Sequence, residues 1–248
     1  QNQLHNLLKH YQNGRFDDAE KMALLITQEF PKNQFAWKVL GSILGQTGRK
    51  SEALNANQKA TALSPQDAEA RSNLGNILKE LGRLDEAEAS YIQAIALKPD
   101  FAEAYNNLGN ILQQLGRLDE AEASFTQAIA LKTDFTQAYN NLGKTLQELG
   151  RFDEAESSYK QAIALKPDYA EVYLNLCGLL EKMNRVDEVL FIVRDASGKT
   201  LEKKADFLYY EALTEFRKEN YETASELVKK ININELFEKR QQSLMKLQ

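Results

Sequence analysis

The sequence predicts an all-α protein in which antiparallel helix hairpins stack one upon the next into an α-solenoid. One observation is a period of 34 residues, visible in RSNLGNILKELGRLDEAEASYIQAIALKPD, YNNLGNILQQLGRLDEAEASFTQAIALKTD and YNNLGKTLQELGRFDEAESSYKQAIALKPD. A second is that each segment carries two apolar stripes at helical spacing, and a third is that a glycine separates the two stripes. Such a period is typical of helical repeats, because one hairpin cannot bury its apolar face alone.

Within one unit, the apolar spacing predicts two amphipathic helices. The stripes are Leu74, Ile77, Leu78 and Leu81 for the first helix and Leu84, Ala87, Tyr91 and Ile95 for the second. The first stripe falls at i, i+3, i+4 and i+7 and the second at i, i+3, i+7 and i+11, and both spacings place a stripe on one helix face. Gly75 and Ala87 are small enough for the two helix axes to approach closely, and Tyr91 fills the space beside them. Pro99 ends the second helix.

The same register runs through most of the chain. The predicted repeats are 34–67, 68–101, 102–135, 136–169 and 170–203, after a degenerate opening repeat at 1–33 and before a degenerate hairpin with a C-terminal capping helix at 204–248. Asn57 replaces the aromatic residue of the second repeat, which predicts looser packing there. In the sixth repeat Asn184 replaces the glycine between the helices, and the polar segment 194–204 predicts that the second helix ends early.

The pattern of aromatic, Leu-Gly, Gly, Ala, aromatic, Ala and Pro resembles the tetratricopeptide repeat, or TPR. Leu108-Gly109, Gly116, Ala121 and Phe125 carry it in the fourth repeat. The resemblance covers roughly two thirds of the chain and implies a right-handed superhelix whose first helices line a concave groove. It specifies architecture, so function is argued from the exposed faces.

Composition favours protein partners over nucleic acid or membranes. The formal net charge is -5, whereas a nucleic-acid-binding surface needs excess Lys and Arg. The sequence has neither a run of about 18 apolar residues nor a charged-then-apolar leader. We therefore expect a soluble, cytoplasmic protein. Because the chain begins without methionine, we also expect it to be a piece of a longer protein.

No catalytic site, metal site or cofactor is predicted. The one cysteine, Cys177, takes the place of Gly109 in its repeat and is interpreted as a small buried residue. His5 and His10 are not at the i, i+4 spacing that places two metal ligands on one helix face. The repeated acidic run at Asp85, Glu86 and Glu88 is interpreted as a helix start, where carboxylates favour the macrodipole.

Asparagines recur on the first helices and are the candidate peptide-binding residues. Asn73, Asn107, Asn141 and Asn175 share one position, Asn106 and Asn140 precede two of them, and Asn76, Asn110 and Lys144 lie one helical turn further on. A carboxamide donates and accepts, so it pairs with a peptide backbone whatever the peptide's side chains. This ladder resembles the asparagine array in the TPR superhelix of O-linked N-acetylglucosamine transferases. Two interpretations stay open, a peptide-binding ladder with side chains pointing into solvent, or ordinary polar repeat surface.

The sequence thus predicts a non-catalytic interaction scaffold whose groove binds an extended peptide or a partner helix. An alternative is the recognition arm of a larger enzyme. The sequence of the repeats resembles that of bacterial proteins that continue into a sulfotransferase, glycosyltransferase or 2-oxoglutarate oxygenase domain. Glu103 and Glu171 stand where a TPR that grips an acidic chaperone tail needs cations, which argues against that partner. Phe207, Phe216 and Phe237 suit a terminal cap or, alternatively, self-association through the last hairpin.

Overall fold

A computed structural model describes residues 2–199 and 204–231 and confirms the all-α prediction. It divides into two compact units, residues 1–132 and 133–248. The first unit contains α1 (Asn2–Gln12), α2 (Phe16–Glu29), α3 (Gln34–Gln46), α4 (Lys50–Leu63), α5 (Ala68–Glu80), α6 (Leu84–Leu97), α7 (Ala102–Gln114) and α8 (Leu118–Leu131). The second contains α9 (Thr136–Glu148), α10 (Phe152–Leu165), α11 (Ala170–Lys182), α12 (Val186–Lys199), α13 (Lys204–Arg217) and α14 (Tyr221–Lys229).

Consecutive helices pair into hairpins, which we number one to seven along the chain. In each pair the odd-numbered helix is the first helix and the even-numbered helix the second. Within each unit every helix packs against its neighbours in sequence, and first helices of consecutive hairpins also contact each other. Within each unit, each hairpin is therefore covered by the next one, as expected for a repeat array.

A residue with positive φ turns the chain between the two helices of a hairpin. Gly82 has φ 74°. The N–H of Arg83 donates to the Leu78 carbonyl at 2.9 Å and that of Gly82 to the Lys79 carbonyl at 2.9 Å, which closes the end of α5 with a Schellman motif. Hairpins six and seven use Asn184 (φ 58°) and Glu219 (φ 64°) at this place. The replacement of glycine therefore leaves the turn intact.

The close approach of the two helices in a hairpin depends on a pair of residues 16 positions apart. A Cβ added at Gly75 would lie 2.8 Å from Cε1 of Tyr91, and one added at Gly109 would lie 2.7 Å from Cε1 of Phe125. Both aromatic side chains are 0% exposed. The glycine thus forms a notch that the aromatic ring fills, as the sequence predicted.

The same two positions hold residues of similar combined size in three hairpins that lack the aromatic residue. Hairpin one has Leu7 with Ala23, hairpin six has Cys177 with Val193, and hairpin seven has Ala212 with Val228; all six side chains are buried. A larger first-helix residue is therefore matched by a smaller second-helix residue. Hairpin two is different, since it places Asn57 against Gly41.

The prediction that the second helix of hairpin six ends early is wrong. Helix α12 continues through the polar segment to Lys199 and has 14 residues, the same length as α10. Val193 and Ala196 are 0% exposed, so burial of its apolar face holds the helix beyond the point where its composition turns polar.

The apolar residues predicted for the last hairpin divide into an inward and an outward set. Phe207 is 2% exposed and packs edge-on against Tyr173, with ring centroids 6.5 Å apart. Phe216 is 39% exposed and lies against Tyr221. Phe237 and the predicted capping helix lie outside the described residues. Phe207 thus packs inside its own unit, and self-association stays a prediction.

Arginines that follow the positive-φ residue of a turn link consecutive second helices. Arg117 forms ion pairs with Glu120 of its own helix at 2.6 Å and with Glu88 of α6 at 2.7 Å. Arg185 does the same in the second unit, where it pairs with Glu188 and with the buried Glu156. Asp85 and Glu86 lie in the first turn of α6, as predicted, whereas Glu88 joins neighbouring hairpins.

Candidate functional site

In the first unit, the predicted asparagines join neighbouring first helices by hydrogen bonds. Asn107 donates from Nδ2 to Oδ1 of Asn76 at 3.1 Å, and Asn73 donates to the hydroxyl of Ser42 at 3.5 Å. The Tyr91 hydroxyl also donates to Oδ1 of Asn76, at 2.7 Å. Burial, and secondarily the charge of Glu80, raises the pKa of Tyr91, so its phenol stays protonated as a donor. These contacts hold the carboxamides in defined orientations.

The second unit places its asparagines in a similar way. Asn175 donates from Nδ2 to Oδ1 of Asn140 at 2.8 Å. Asn141 is half-buried, and its backbone carbonyl accepts a hydrogen bond from the Thr145 hydroxyl at 3.0 Å. Lys144 donates to Oε1 of Glu171 at 2.6 Å. First helices of this unit are therefore also connected through predicted site residues.

The expectation that these side chains point into solvent is wrong for two of them. Asn106 is 8% exposed and Asn140 is 2% exposed. A buried carboxamide needs hydrogen-bond partners in the protein, and Asn140 has one on the neighbouring first helix of its unit, Asn175. Asn106, for example, donates to Oδ1 of Asn107 at 3.4 Å. The other predicted residues, Asn73, Asn76, Asn107, Asn110, Asn141, Asn175 and Lys144, are half-buried.

A pocket opens beside an asparagine of the ladder in each unit. The first has a volume of about 210 Å³ and its lining includes Ser42, Gly45, Gln46, Asn57, Asn73 and Asn76. The second has a volume of about 310 Å³ and its lining includes Lys144, Gln147, Glu148, Tyr159, Asn175 and Gly178. Each residue of the second set lies three 34-residue periods after its counterpart in the first. The two pockets therefore occupy the same register of the repeat.

The second-helix residue in each pocket was missed as a site residue from the sequence. In the second unit it is Tyr159, whose hydroxyl donates to Oε1 of Gln147 at 3.2 Å. In the first unit it is Asn57, which is 1% exposed. The sequence did contain a sign of this residue. Among the packing pairs of the hairpins, Gly41 and Asn57 are the one pair in which both members are small and one is polar.

Lysines on the first helices are held by carboxylates of the following hairpin. Nζ of Lys38 lies 3.1 Å from Oδ2 of Asp67 and 2.9 Å from Oε2 of Glu69. Burial opposes its charge, but the hydrogen bonds to these carboxylates prevail and raise the pKa of Lys38. In hairpin four the roles are reversed, since Glu103 of first helix α7 pairs with Lys132 at the end of second helix α8, with Nζ and Oε1 3.2 Å apart. The charges around the asparagines are thus neutralised locally, which argues further against capture of an acidic tail.

The described part of the chain offers no assembled metal or thiol chemistry. Within residues 2–199 and 204–231, no group of three or more His, Cys, Asp or Glu side chains is placed to hold a metal ion. Cys177 is 0% exposed, as predicted for a small buried residue. In the same ranges, no helix has the length and apolar character needed to cross a membrane.

Family models match the chain over most of its length. The model described as TPR repeat matches residues 41–82 and 75–116, and two models described as tetratricopeptide repeat match residues 100–168 and 146–214. Together these matches cover more than half of the chain. The comparison with curated proteins finds no match.

Solved structures show the same fold. MamA is similar, with 27% identity, a TM-score of 0.59, and coverage of 66% of this chain and 95% of that one. A tetratricopeptide repeat protein from Parabacteroides merdae has 18% identity, a TM-score of 0.72, and coverage of 100% and 99%. YrrB, described as a TPR protein with an unusual peptide-binding site, has 19% identity, a TM-score of 0.59, and coverage of 75% and 96%.

Proposed function

This chain belongs to the tetratricopeptide repeat family of protein-interaction scaffolds, and from that premise we propose that its first-helix face binds an extended segment of a partner protein. The observation that carries the proposal is the shared register of the two pockets. Ser42 and Asn73 line one pocket, and Lys144 and Asn175 line the other from the corresponding positions. An array that presents the same opening at corresponding positions suits a ligand that is itself periodic, and an extended peptide is such a ligand.

The asparagines retain hydrogen-bonding capacity after their contacts within the protein. A carboxamide offers two N–H groups and an oxygen with two lone pairs. Asn73 uses Nδ2 toward Ser42, and Asn175 uses Nδ2 toward Asn140. Each of these side chains keeps its oxygen for a peptide N–H. The internal bonds also fix each carboxamide before binding, which lowers the entropy lost when a ligand is bound.

The spacing of the hairpins fits an extended chain. Neighbouring helices pack about 8–10 Å apart, and an extended strand rises about 3.3 Å per residue. One asparagine would therefore meet about every third residue of the peptide. Because the surrounding lysines and carboxylates pair with each other, as Lys144 does with Glu171, the face favours contacts to the peptide backbone over selection by net charge. A stand-alone scaffold and a recognition arm would use this same face.

Peptides selected from a random library against the full chain provide the test. We expect Asn73→Ala and Asn110→Ala each to weaken binding by about fivefold, since each removes a hydrogen bond to the ligand. The matched controls are Asn55→Ala and Gln127→Ala, which change exposed residues of second helices. Circular dichroism and thermal unfolding monitor folding of all four variants. Unchanged affinity of the first-helix variants, or a loss as large in the controls, would contradict the proposal.

A further inference from the structure

The pocket of hairpin two differs from that of hairpin five in its packing pair, because an asparagine amide lines it where Tyr159 lines the other. At Gly75 a Cβ would meet three ring carbons of Tyr91 between 2.8 and 3.0 Å away, whereas at Gly41 it would meet only the amide group of Asn57, at 2.5 to 2.9 Å. The ring atoms that fill this region in hairpins three to five are missing in hairpin two. Gly41 and Asn57 instead both line the pocket of about 210 Å³.

Asn57 brings a buried acceptor without a hydrogen-bond partner to the lining of this pocket. Its Nδ2 donates to the Ala53 carbonyl at 2.9 Å. That bond sets the orientation of the amide, since only the NH₂ group can face a carbonyl. Oδ1 has no hydrogen-bond partner among the described residues, and the side chain is 1% exposed. A buried carbonyl in this state favours a ligand that brings a donor.

The other polar residues of the lining are Tyr11, Ser42, Gln46, Asn73, Asn76 and Glu80. Among them, Asn76 already accepts two hydrogen bonds at Oδ1, from Tyr91 and Asn107. The amide nitrogen of Gln46 already donates to the Tyr11 hydroxyl at 3.4 Å, and that of Asn73 to Ser42 at 3.5 Å, which leaves their amide oxygens as acceptors. Glu80 is the one charged residue of the lining, and its nearest cation, Lys50, lies 3.8 Å from the carboxylate. The pocket therefore offers acceptor oxygens on Asn57, Gln46 and Asn73 and one carboxylate, that of Glu80.

We propose that this pocket holds the cationic side chain of a lysine or arginine in the bound partner segment. A cation satisfies the free acceptors and the Glu80 carboxylate together, and charge-assisted hydrogen bonds of this kind are stronger than neutral ones. An apolar side chain would leave the Asn57 carbonyl unpaired, and an acidic one would meet Glu80. The inference rests on the proposed function, because it assigns one specificity position within the same peptide-binding face.

The test repeats the random-library selection with the parent chain and with Asn57→Phe. This variant restores the residue type that faces the notch glycine in hairpin four, so we expect it to fold, to unfold at a higher temperature than the parent and still to bind peptides. The parent is expected to enrich Lys or Arg at one fixed peptide position, and Asn57→Phe is expected to lose that enrichment. For a selected peptide, replacing the basic residue by norleucine should weaken binding to the parent by about tenfold or more and leave binding to Asn57→Phe unchanged.

One further variant tests whether Glu80 contributes to the preference for a basic residue, and a second-helix variant is its control. Glu80→Gln keeps the shape of the pocket and should reduce the preference for a basic residue over norleucine, whereas Gln93→Ala on second helix α6 should not. Selected peptides without a fixed basic position, or a basic preference that survives in Asn57→Phe, would overturn the inference and leave the proposed function standing. If the parent selects no peptides at all, the proposed function is overturned and this inference with it.

Discussion

Hairpins two and four of the first unit have the same backbone plan but fill the same notch differently. In hairpin four the Phe125 ring lies against Gly109, and in hairpin two the Asn57 amide lies against Gly41. The Phe125 ring is fully buried and carries no hydrogen-bonding group. The asparagine pair leaves a polar pocket and an unpaired carbonyl. The comparison teaches that one substitution in a structural repeat can turn an apolar core position into a polar pocket lining without disturbing the hairpin.

The largest expected effect comes from copying the arrangement of hairpin two into hairpin four. Phe125→Asn removes a ring that is 0% exposed, and we expect a loss of about 3–5 kcal/mol, typical of large-to-small changes in a core. Because coupling in a repeat array is between neighbours, hydrogen exchange should rise in α7 and α8 and stay unchanged in α1 and α2. The control Asn57→Ala should cost much less. A uniform rise along the first unit would contradict this picture.

A smaller effect should distinguish the two notches. Gly75→Ala places a methyl group 2.8 Å from the rigid ring of Tyr91, and Gly41→Ala places one 2.5 Å from the small amide of Asn57. The ring cannot give way, so we expect Gly75→Ala to cost about 1–3 kcal/mol. Asn57 can rotate toward the adjoining pocket, so Gly41→Ala should cost less. Thermal unfolding of both variants measures the difference, and equal losses would mean that the pocket provides no room.

Much of this plan could be predicted from residues alone, because period and apolar spacing report directly on helix packing. The notch between Gly75 and Tyr91 and the burial of Cys177 followed from the size of these residues. The burial of Asn106 and Asn140 did not, because the sequence does not say which side of a first helix faces the next one. The length of α12 was missed for a related reason, since local polarity is overridden by burial of Val193 and Ala196.

The buried ion pair of Glu156 makes the stability of the second unit depend on pH. Glu156 is 7% exposed; burial opposes its charge, but hydrogen bonds from Arg185 and Lys160 prevail and lower its pKa. A carboxyl group with a lowered folded-state pKa contributes stability above its unfolded pKa of about 4.3, and this contribution is lost as the pH falls through the folded pKa. Glu156→Gln should therefore be less stable than the parent at pH 7, and the difference should shrink below about pH 4. Urea unfolding at both pH values checks this, and a pH-independent difference would contradict it.

The smallest effect concerns the turns. Gly82 adopts φ 74° without steric cost, whereas Glu219 adopts φ 64° with a Cβ. Glu219→Gly should stabilise hairpin seven by about 1 kcal/mol or less. Asn184→Gly is the matched case and should gain less, because asparagine tolerates this region. A larger gain in unfolding temperature for Asn184→Gly than for Glu219→Gly would contradict this prediction.

The most direct test of the account is to observe the side-chain amides while a peptide binds. Nuclear magnetic resonance of the ¹⁵N-labelled chain, titrated with a library-selected peptide, reports the NH₂ signals of asparagine and glutamine. We expect the signals of Asn73, Asn76 and Asn110 on the first helices to shift with one common affinity, while those of Asn55 and Gln127 on second helices stay in place. Shifts confined to the second-helix amides, with the first-helix signals unmoved at saturation, would contradict the account.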